Sequence, residues 1–224
     1  MPCETHHITI ERRARYAVIP GEPGRIEQVW FALHGYNQLA PRFIRYLLPL
    51  DDGTRHVVAA EGLHRQYIEQ ASGKVGASWM TSEDRLTDIA DYVAYLDRLY
   101  DATLSHARLD REAVRVVALG FSQGVHTLCR WLALGRARID RAILWGGTAP
   151  PDLDLSAHRK ALHAADLQLV VGNTDEYFGP GVASAHESRL HEAGIAFRSS
   201  TFEGGHRLDR ETLLTLAREA GGTP

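Results

Sequence analysis

The chain has 224 residues, of which 44% are hydrophobic, and it carries a formal net charge of −3 at pH 7. The small net charge gives no overall field that would attract nucleic acid or an anionic membrane, so neither is expected as a partner. This length and hydrophobic content predict a single domain over residues 1–224 with a sizeable core.

The cysteines and the first residues bear on the cellular compartment. Two cysteines, Cys3 and Cys129, are too few for a disulfide framework in a chain of this length. Residues 1–7 are polar and lack the apolar stretch of a secretory signal. No apolar run approaches the length of a membrane span. We therefore expect a soluble cytoplasmic protein without stable membrane insertion.

Hydrophobic patterns predict strands that alternate with helices. The first half contains β-rich character over residues 5–19, a buried strand over 28–33, helical spacing over 43–48, a strand over 56–60, a loop over 63–81 and a helix over 86–100 after a capping box of Thr81 and Asp84. The second half contains strands over 113–119, 141–145, 167–171 and 195–202, and helices over 125–134, 182–193 and 208–217. This alternation predicts an α/β fold with a mostly parallel central sheet, helices on both faces and no separate cap domain.

A Gly-Phe-Ser-Gln-Gly motif occupies residues 120–124, between a predicted strand and a predicted helix. Strand, G-x-S-x-G and helix together are the context that a nucleophile elbow requires. The sharp turn lifts the serine hydroxyl above the edge of the sheet, and the glycines allow strand and helix to pass close together. The motif predicts Ser122 as the nucleophile of a serine hydrolase.

The nucleophile needs a base, and histidine has a suitable pKa. In this architecture the chain order is serine, acid, histidine. His206 follows two glycines just after the last predicted strand, at the carboxyl edge of the sheet where ligands bind. The other downstream histidines lie on the elbow helix or in helical or surface stretches: His126, His158, His163, His186 and His191. His206 is therefore the predicted general base.

The acid should lie between Ser122 and His206, also at the carboxyl end of a strand. Asp175 fits because it follows the strand over residues 167–171 and the turn Gly-Asn-Thr. Its role would be to hold the imidazole tautomer and stabilise the imidazolium. The adjacent Glu176 is the main alternative, and Asp152 and Asp154 follow an earlier strand.

An oxyanion hole needs two preorganised N–H donors. The backbone N–H of Gln123, which follows the nucleophile, is the first, and the N–H of Tyr36, in the loop after the strand over residues 28–33, is the predicted second. His34 ends that strand, but no second ligand stands at metal-binding spacing beside it. We expect neither a metal nor an organic cofactor.

Four segments resemble the phospholipase/carboxylesterase family of α/β-hydrolases, which includes acyl-protein thioesterases: residues 33–35, 120–124, 172–175 and 205–206. The resemblance spans about residues 29–216 and implies an α/β-hydrolase fold and a small-molecule ester or thioester substrate. Residues 77–79, Ala-Ser-Trp, are similar to the family's Pro-Ser-Trp segment beside the acyl pocket.

The chain also departs from the family pattern. The family's usual His-Gly-x-Gly and following Asp read His34-Gly35-Tyr36-Asn37 here, and Val125 replaces a glycine after the elbow. Because these loops should shape the pocket, the family's acyl specificity does not carry over.

Substrate contacts are predicted from side chains in loops near the site. Trp79, Tyr36 and Phe178 are candidate pocket walls. Arg65 and Glu61 would either bind a polar substrate group or pair with each other. A homodimer formed through apolar surface near the site is a further hypothesis.

Three functional hypotheses follow. The first is a carboxylic-ester hydrolase, as a carboxylesterase, lysophospholipase or thioesterase, that acts through an acyl-enzyme on Ser122. The second is a serine peptidase or amidase with the same fold and catalytic groups. The third is a non-catalytic binding module on a hydrolase scaffold.

Overall fold

The computed structural model describes residues 3–221, so residues 1–2 and 222–224 of the predicted domain lie outside the described part. The strands are β1 (Tyr16–Ile19), β2 (Gln28–Leu33), β3 (Arg55–Ala60), β4 (His64–Glu69), β5 (Lys74–Ser78), β6 (Arg115–Phe121), β7 (Arg141–Trp145), β8 (Asp166–Gly172) and β9 (Phe197–Phe202). A seven-stranded sheet has the order β1-β3-β2-β6-β7-β8-β9, and β4 and β5 form a separate hairpin. In the main sheet β1 is antiparallel to β3, and all other neighbours are parallel. The prediction of a mostly parallel sheet is confirmed.

The helices pack against this sheet. They are α1 (Ala40–Phe43), α2 (Arg85–His106), α3 (Gln123–Leu134), α4 (Arg159–Ala164), α5 (Pro180–Glu192) and α6 (Arg210–Ala220), and a 3₁₀ helix (Ile44–Leu50) directly follows α1. The short α4 was not predicted from the sequence. Within residues 3–221, no helix combines the length and apolarity needed to cross a membrane.

Strand β2 explains how both faces of the sheet are covered. All six of its residues are buried, and successive side chains point to opposite faces. Val29, Phe31 and Leu33 belong to one core cluster, which includes residues of α2, α3 and α5. Trp30 and Ala32 belong to the other, which includes residues of α1, the 3₁₀ helix and α6. The prediction of helices on both faces is confirmed.

The predicted loop over residues 63–81 is wrong in its secondary structure, because most of it is the β4–β5 hairpin. Strand β4 reads His-Arg-Gln-Tyr-Ile-Glu and is largely exposed, so it lacks the regular apolar alternation that identifies a half-buried strand. Gly73, with φ of 66°, lies in the turn between the two strands. The hairpin pairs outside the main sheet, and its buried run is only the Gly-Ala-Ser end of β5, which is too short and too weakly hydrophobic to identify a strand.

Two predicted boundaries also need correction. Only Tyr16–Ile19 of the β-rich segment over residues 5–19 forms a strand. The capping box is absent at the start of α2, where Asp84 is the N-cap with φ of 47° and its side chain makes no cap hydrogen bond. The Thr81 N–H instead donates to Asp88 at 3.2 Å.

The elbow glycines are required by close packing. A β-carbon on Gly124 would lie 2.1 Å from the carbonyl oxygen of Leu33, and one on Gly120 would lie 2.5 Å from the carbonyl oxygen of Gly124. Backbone atoms cannot yield as a flexible side chain can, so we expect Gly124→Ala to lower the free energy of unfolding by about 2 kcal/mol or more. Urea denaturation measures this change.

Gly181 in α5 provides the matched control, because a β-carbon there would meet nothing within 4 Å. Gly181→Ala should leave stability unchanged or raise it by roughly 0.5–1 kcal/mol. Equal effects of the two substitutions would contradict the packing argument.

Candidate active site

The candidate site lies where the strand order reverses. From β2 the chain continues to β3 on one side, and later returns to β6 on the other side of β2. The carboxyl ends of β2 and β6 therefore meet at a switch point, the usual ligand site in open α/β sheets. A β-carbon built on Gly35, after β2, would lie 3.2 Å from Cβ of Ser122, after β6.

Ser122 occupies a strained turn between β6 and α3. Its φ of 54° and ψ of −117° lie in a region that side-chain-bearing residues rarely adopt. The Ser122 N–H donates to the carbonyl of Trp145 at 2.9 Å, and its own carbonyl accepts from Val125 at 2.9 Å. Neighbouring structure thus holds the turn in place, as is common where strain serves a functional site.

His206 and Asp175 are brought together by the loops after β9 and β8. His206 Nδ1 lies 2.8 Å from Asp175 Oδ2, and only 1% of the Asp175 side chain is exposed. The two loops are joined because Asn173 N–H donates to the Phe202 carbonyl at 2.9 Å and Thr174 N–H donates to the Gly204 carbonyl at 3.0 Å. The acid and the imidazole are therefore fixed by adjacent parallel strands.

The other candidate acids are occupied elsewhere or exposed. Glu176 is exposed. Asp152 forms ion pairs with Arg130, at 2.7 Å, and with Arg85. Asp154 accepts a hydrogen bond from the N–H of Ala157 at 2.9 Å. Of these four carboxylates, Asp175 alone contacts His206.

Three aromatic rings surround the His206 imidazole. Ring centroids of Phe121, Tyr177 and Phe178 lie 4.9, 5.0 and 5.7 Å from it, respectively. The N–H groups of Tyr177 and Phe178 also donate to Asp175 Oδ1, at 2.9 and 3.0 Å. Phe178 was predicted to lie at the site, whereas Tyr177 and Phe121 were missed. Their positions beside Asp175 and Ser122 in the sequence were the available signal.

Phe121 connects the imidazole to the elbow, because it directly precedes Ser122 and contacts His206. Within residues 3–221 the Ser122 hydroxyl makes no hydrogen bond to His206, whose Nδ1 is paired with Asp175. Hydrogen bonds between nucleophile and base are often long without substrate and tighten in the reactive complex. The absence of this hydrogen bond without substrate is therefore compatible with Ser122 and His206 acting as nucleophile and base.

The predicted oxyanion donors also lie at this edge. Gln123 is the first residue of α3, so its N–H has no acceptor within the helix. The Tyr36 N–H makes no hydrogen bond to the described chain, whereas its neighbours are engaged: Gly35 N–H donates to Gln38 Oε1 at 2.8 Å, and Asn37 N–H donates to the Ala77 carbonyl at 2.9 Å. Within residues 3–221, neither predicted donor is therefore engaged by another group of the chain.

Trp79 and Arg65 both contact other groups of the chain. Trp79 is completely buried, and its indole N–H donates to the His34 carbonyl at 2.8 Å, so it supports the wall of the site from behind. Arg65 lies 3.9 Å from Glu61, the pairing that was one of the two expectations. Glu61 is mainly held by Arg15 through hydrogen bonds of 2.9 and 2.8 Å. Tyr36, by contrast, is 55% exposed beside the site.

His34 has a structural role. Its Nδ1 lies 2.7 Å from the Gly35 carbonyl and its Nε2 accepts from the Gly62 N–H at 3.0 Å, so both ring nitrogens are engaged. Burial lowers its pKa, which favours the neutral ring that this pattern requires. In the described part of the chain, no group of three or more His, Cys, Asp or Glu side chains could hold a metal ion.

His186 adds a pH-dependent element next to the loop after β7. Its Nε2 accepts from the Ala149 N–H at 2.9 Å, and burial, assisted by Arg189, lowers its pKa to about 4. At a pH between about 4 and the ordinary histidine pKa of about 6.5, the unfolded chain binds a proton at His186 that the folded chain does not. The free energy of unfolding should therefore fall as the pH drops through this range, by up to about 3 kcal/mol.

The measurement is urea denaturation of wild type and His186→Gln at about pH 7 and about pH 4.5. Glutamine can accept the Ala149 hydrogen bond but does not titrate, so the variant should lose less stability than wild type on acidification. Equal losses would contradict a contribution from His186.

Comparisons with solved structures find proteins of the same fold. No protein-family model matches the chain, and neither does any curated protein. Among solved structures, esterase PE8 is 18% identical with a TM-score of 0.70, over 93% of this chain and 100% of that chain. Acyl-protein thioesterase 2 of Zea mays is 15% identical with a TM-score of 0.71, over 94% and 100%. A carboxylesterase from Mesorhizobium loti is 16% identical with a TM-score of 0.70, over 94% and 95%.

At these identities the likeness establishes the fold. The chain has the α/β-hydrolase fold, as predicted. Its structural neighbours are esterases, carboxylesterases and acyl-protein thioesterases, consistent with the phospholipase/carboxylesterase-type family that the sequence resembles.

Proposed function

We propose that this chain is a serine hydrolase of carboxylic esters, in which Ser122, His206 and Asp175 form the catalytic triad. The observation that carries the proposal is the Asp175–His206 pair, joined at 2.8 Å and packed against Phe121 directly before the strained Ser122. The esterase and thioesterase neighbours support ester or thioester substrates at the level of the fold.

Acylation begins when the Ser122 hydroxyl attacks the carbonyl carbon of the ester while His206 Nε2 takes its proton. Asp175 accepts the Nδ1–H of His206, which leaves Nε2 free as the base and stabilises the imidazolium that forms. The N–H groups of Gln123 and Tyr36 stabilise the negative oxygen of the tetrahedral intermediate.

His206 then returns its proton to the departing alcohol or thiol, and an acyl-enzyme remains on Ser122. In the second half His206 takes a proton from water, whose oxygen attacks the acyl carbon. Collapse of this intermediate releases the carboxylic acid and restores the Ser122 hydroxyl. The steps balance with the three side chains, two backbone N–H groups and water.

Substrate contacts are assigned to the exposed aromatic residues of the site. The Tyr36 side chain is exposed next to its own N–H, the proposed oxyanion donor, and Tyr177 is 65% exposed where its ring contacts His206. Phe178 is half-buried and stacks on the same imidazole. These rings would contact the apolar part of an acyl or leaving group. We retain no substrate role for the buried Trp79.

A panel of p-nitrophenyl esters from acetate to palmitate tests the proposal, with thioesters, lysophospholipids and matched amides assayed beside it. Turnover of esters, with a dependence on chain length that measures the pocket, supports an ester hydrolase. Faster turnover of matched amides would support the peptidase or amidase hypothesis. Failure to hydrolyse any of these compounds, together with equal labelling of wild type and Ser122→Ala by a fluorophosphonate, would refute a serine hydrolase.

A further inference from the structure

The β4–β5 hairpin contacts both halves of the proposed oxyanion hole. We infer that this hairpin sets the spacing between the Tyr36 and Gln123 N–H donors, and that Gln66 is a positioning residue for the reaction. This inference rests on the proposed function, because it concerns how the same site stabilises its tetrahedral intermediate.

The first half of the hole is attached to β5 through the backbone. The Asn37 N–H donates to the Ala77 carbonyl at 2.9 Å, and the Ala77 N–H donates to the Gln38 carbonyl at 3.1 Å. A β-carbon on Gly76 would lie 2.6 Å from the Asn37 carbonyl oxygen, so hairpin and loop are in close contact. These bonds fix the residues that directly follow Tyr36.

Gln66 makes a second attachment from the other strand of the hairpin. Its Nε2 donates to the Tyr36 hydroxyl at 3.0 Å and to Asn37 Oδ1 at 3.1 Å. Asn37 has φ of 60°, a left-handed conformation that asparagine tolerates better than most residues. Gln66 therefore holds the side chains of both residues at the turn of the oxyanion loop.

The second half of the hole is attached to the end of β5. Gln123 Nε2 donates to Ser78 Oγ at 2.9 Å, and Gln123 Oε1 accepts from the Trp79 N–H at 3.4 Å. The Trp79 indole N–H in turn donates to the His34 carbonyl at the end of β2. Residues 76–79 thus contact the Tyr36 loop on one side and the first residue of α3 on the other.

This arrangement matters because oxyanion donors act through preorganised positions, about 2.7–3.1 Å from the developing negative oxygen. The Tyr36 side chain is exposed and is not held by core packing. The position of its N–H therefore depends on the hydrogen bonds that Asn37 and Gln38 make with the hairpin. Loss of Gln66 should leave the N–H present but less well placed. The penalty should then appear in the tetrahedral intermediate rather than in ground-state binding.

The test is Gln66→Ala, with Gln70→Ala as the matched control in the exposed turn of the same hairpin. Within residues 3–221, the Gln70 side chain makes no hydrogen bond, and its backbone carbonyl accepts from the Gly73 N–H at 3.2 Å. For Gln66→Ala we expect kcat on an ester to fall about 10-fold, less than the roughly 10²–10³ of a deleted donor. KM should stay within about twofold, and the affinity of a boronic acid that forms a tetrahedral adduct should fall in parallel with kcat. Gln70→Ala should match wild type in all three measurements.

A second variant, Gln123→Ala, retains the backbone donor and removes the side-chain contacts with Ser78, Trp79 and the Met80 carbonyl. It should lower kcat and boronic-acid affinity to a similar extent, with KM again little changed. Wild-type kcat and boronic-acid affinity in either variant would overturn the inference. A reduced kcat with unchanged boronic-acid affinity and a lowered melting temperature would also overturn it, because that pattern indicates a merely structural role.

Failure of the proposed function is distinguished by wild type and Ser122→Ala in the same assays. Ester turnover by wild type that is lost in Ser122→Ala establishes the chemistry independently of the hairpin. An inactive wild type would remove the proposed function and this inference with it.

Discussion

Ser122→Ala is expected to lower kcat on the best ester of the panel by about 10⁴–10⁶-fold. Alanine removes the hydroxyl that would form the proposed acyl-enzyme and leaves the elbow backbone in place. The proposed oxyanion donors remain, so a residual rate above the uncatalysed reaction should persist. Steady-state kinetics and loss of fluorophosphonate labelling are the two measurements.

Ser105→Ala, on the exposed surface of α2, is the matched control and should retain wild-type kcat. Far-UV circular dichroism and a melting curve establish that both variants are folded. A Ser122→Ala variant with more than about a tenth of wild-type kcat would contradict the proposed nucleophile, since that loss is far smaller than removal of a triad serine produces.

The sequence predicted the central architecture because buried parallel strands are apolar along their whole length. Strands β2 and β7 were predicted at their observed bounds, and each is buried throughout. The same logic explains the prediction of His206 and Asp175. Both follow strands whose carboxyl ends lie at one edge of a parallel sheet. Their proximity could therefore be predicted although they are far apart in the sequence.

The hairpin and two of the three aromatic rings around His206 could not be predicted in this way. Strand β4 is polar and mostly exposed, and its positions depend on partners in β5 and the oxyanion loop rather than on a core face. Trp79 was interpreted as a pocket wall because it lay in a predicted loop, whereas it packs behind the site against His34 at a ring distance of 5.1 Å. Contacts of this kind are set by tertiary packing, which residue spacing does not encode.

Tyr177 illustrates the same limit inside the site. A tyrosine two residues after the predicted acid gave no sign of whether its ring would face solvent or the imidazole. The structure places its ring edge-on to His206, and its N–H donates to Asp175 Oδ1. The order of residues along the chain does not show such a ring orientation, because the side-chain rotamer depends on the tertiary surroundings.

Asp175→Asn is expected to lower kcat by about 10⁴-fold, the effect of the equivalent change in another triad. Asparagine has nearly the same shape, and its carbonyl oxygen can still accept from the N–H groups of Tyr177 and Phe178. Its NH₂ would then face His206 Nδ1 and act as a donor. This selects the tautomer that carries its proton on Nε2, which cannot accept the proton of Ser122.

Glu176→Gln is the matched control, since it removes an adjacent but exposed carboxylate, and it should change kcat by less than about twofold. Both variants should show wild-type stability at neutral pH, which separates the loss of the base from a loss of fold. A large effect of Glu176→Gln with a small effect of Asp175→Asn would show that Glu176, and not Asp175, is the acid of the triad. The outcome thus depends on one hydrogen bond: within residues 3–221, Asp175 Oδ2, at 2.8 Å from Nδ1, is the one hydrogen-bond partner of the imidazole and so determines which of its nitrogens carries the proton.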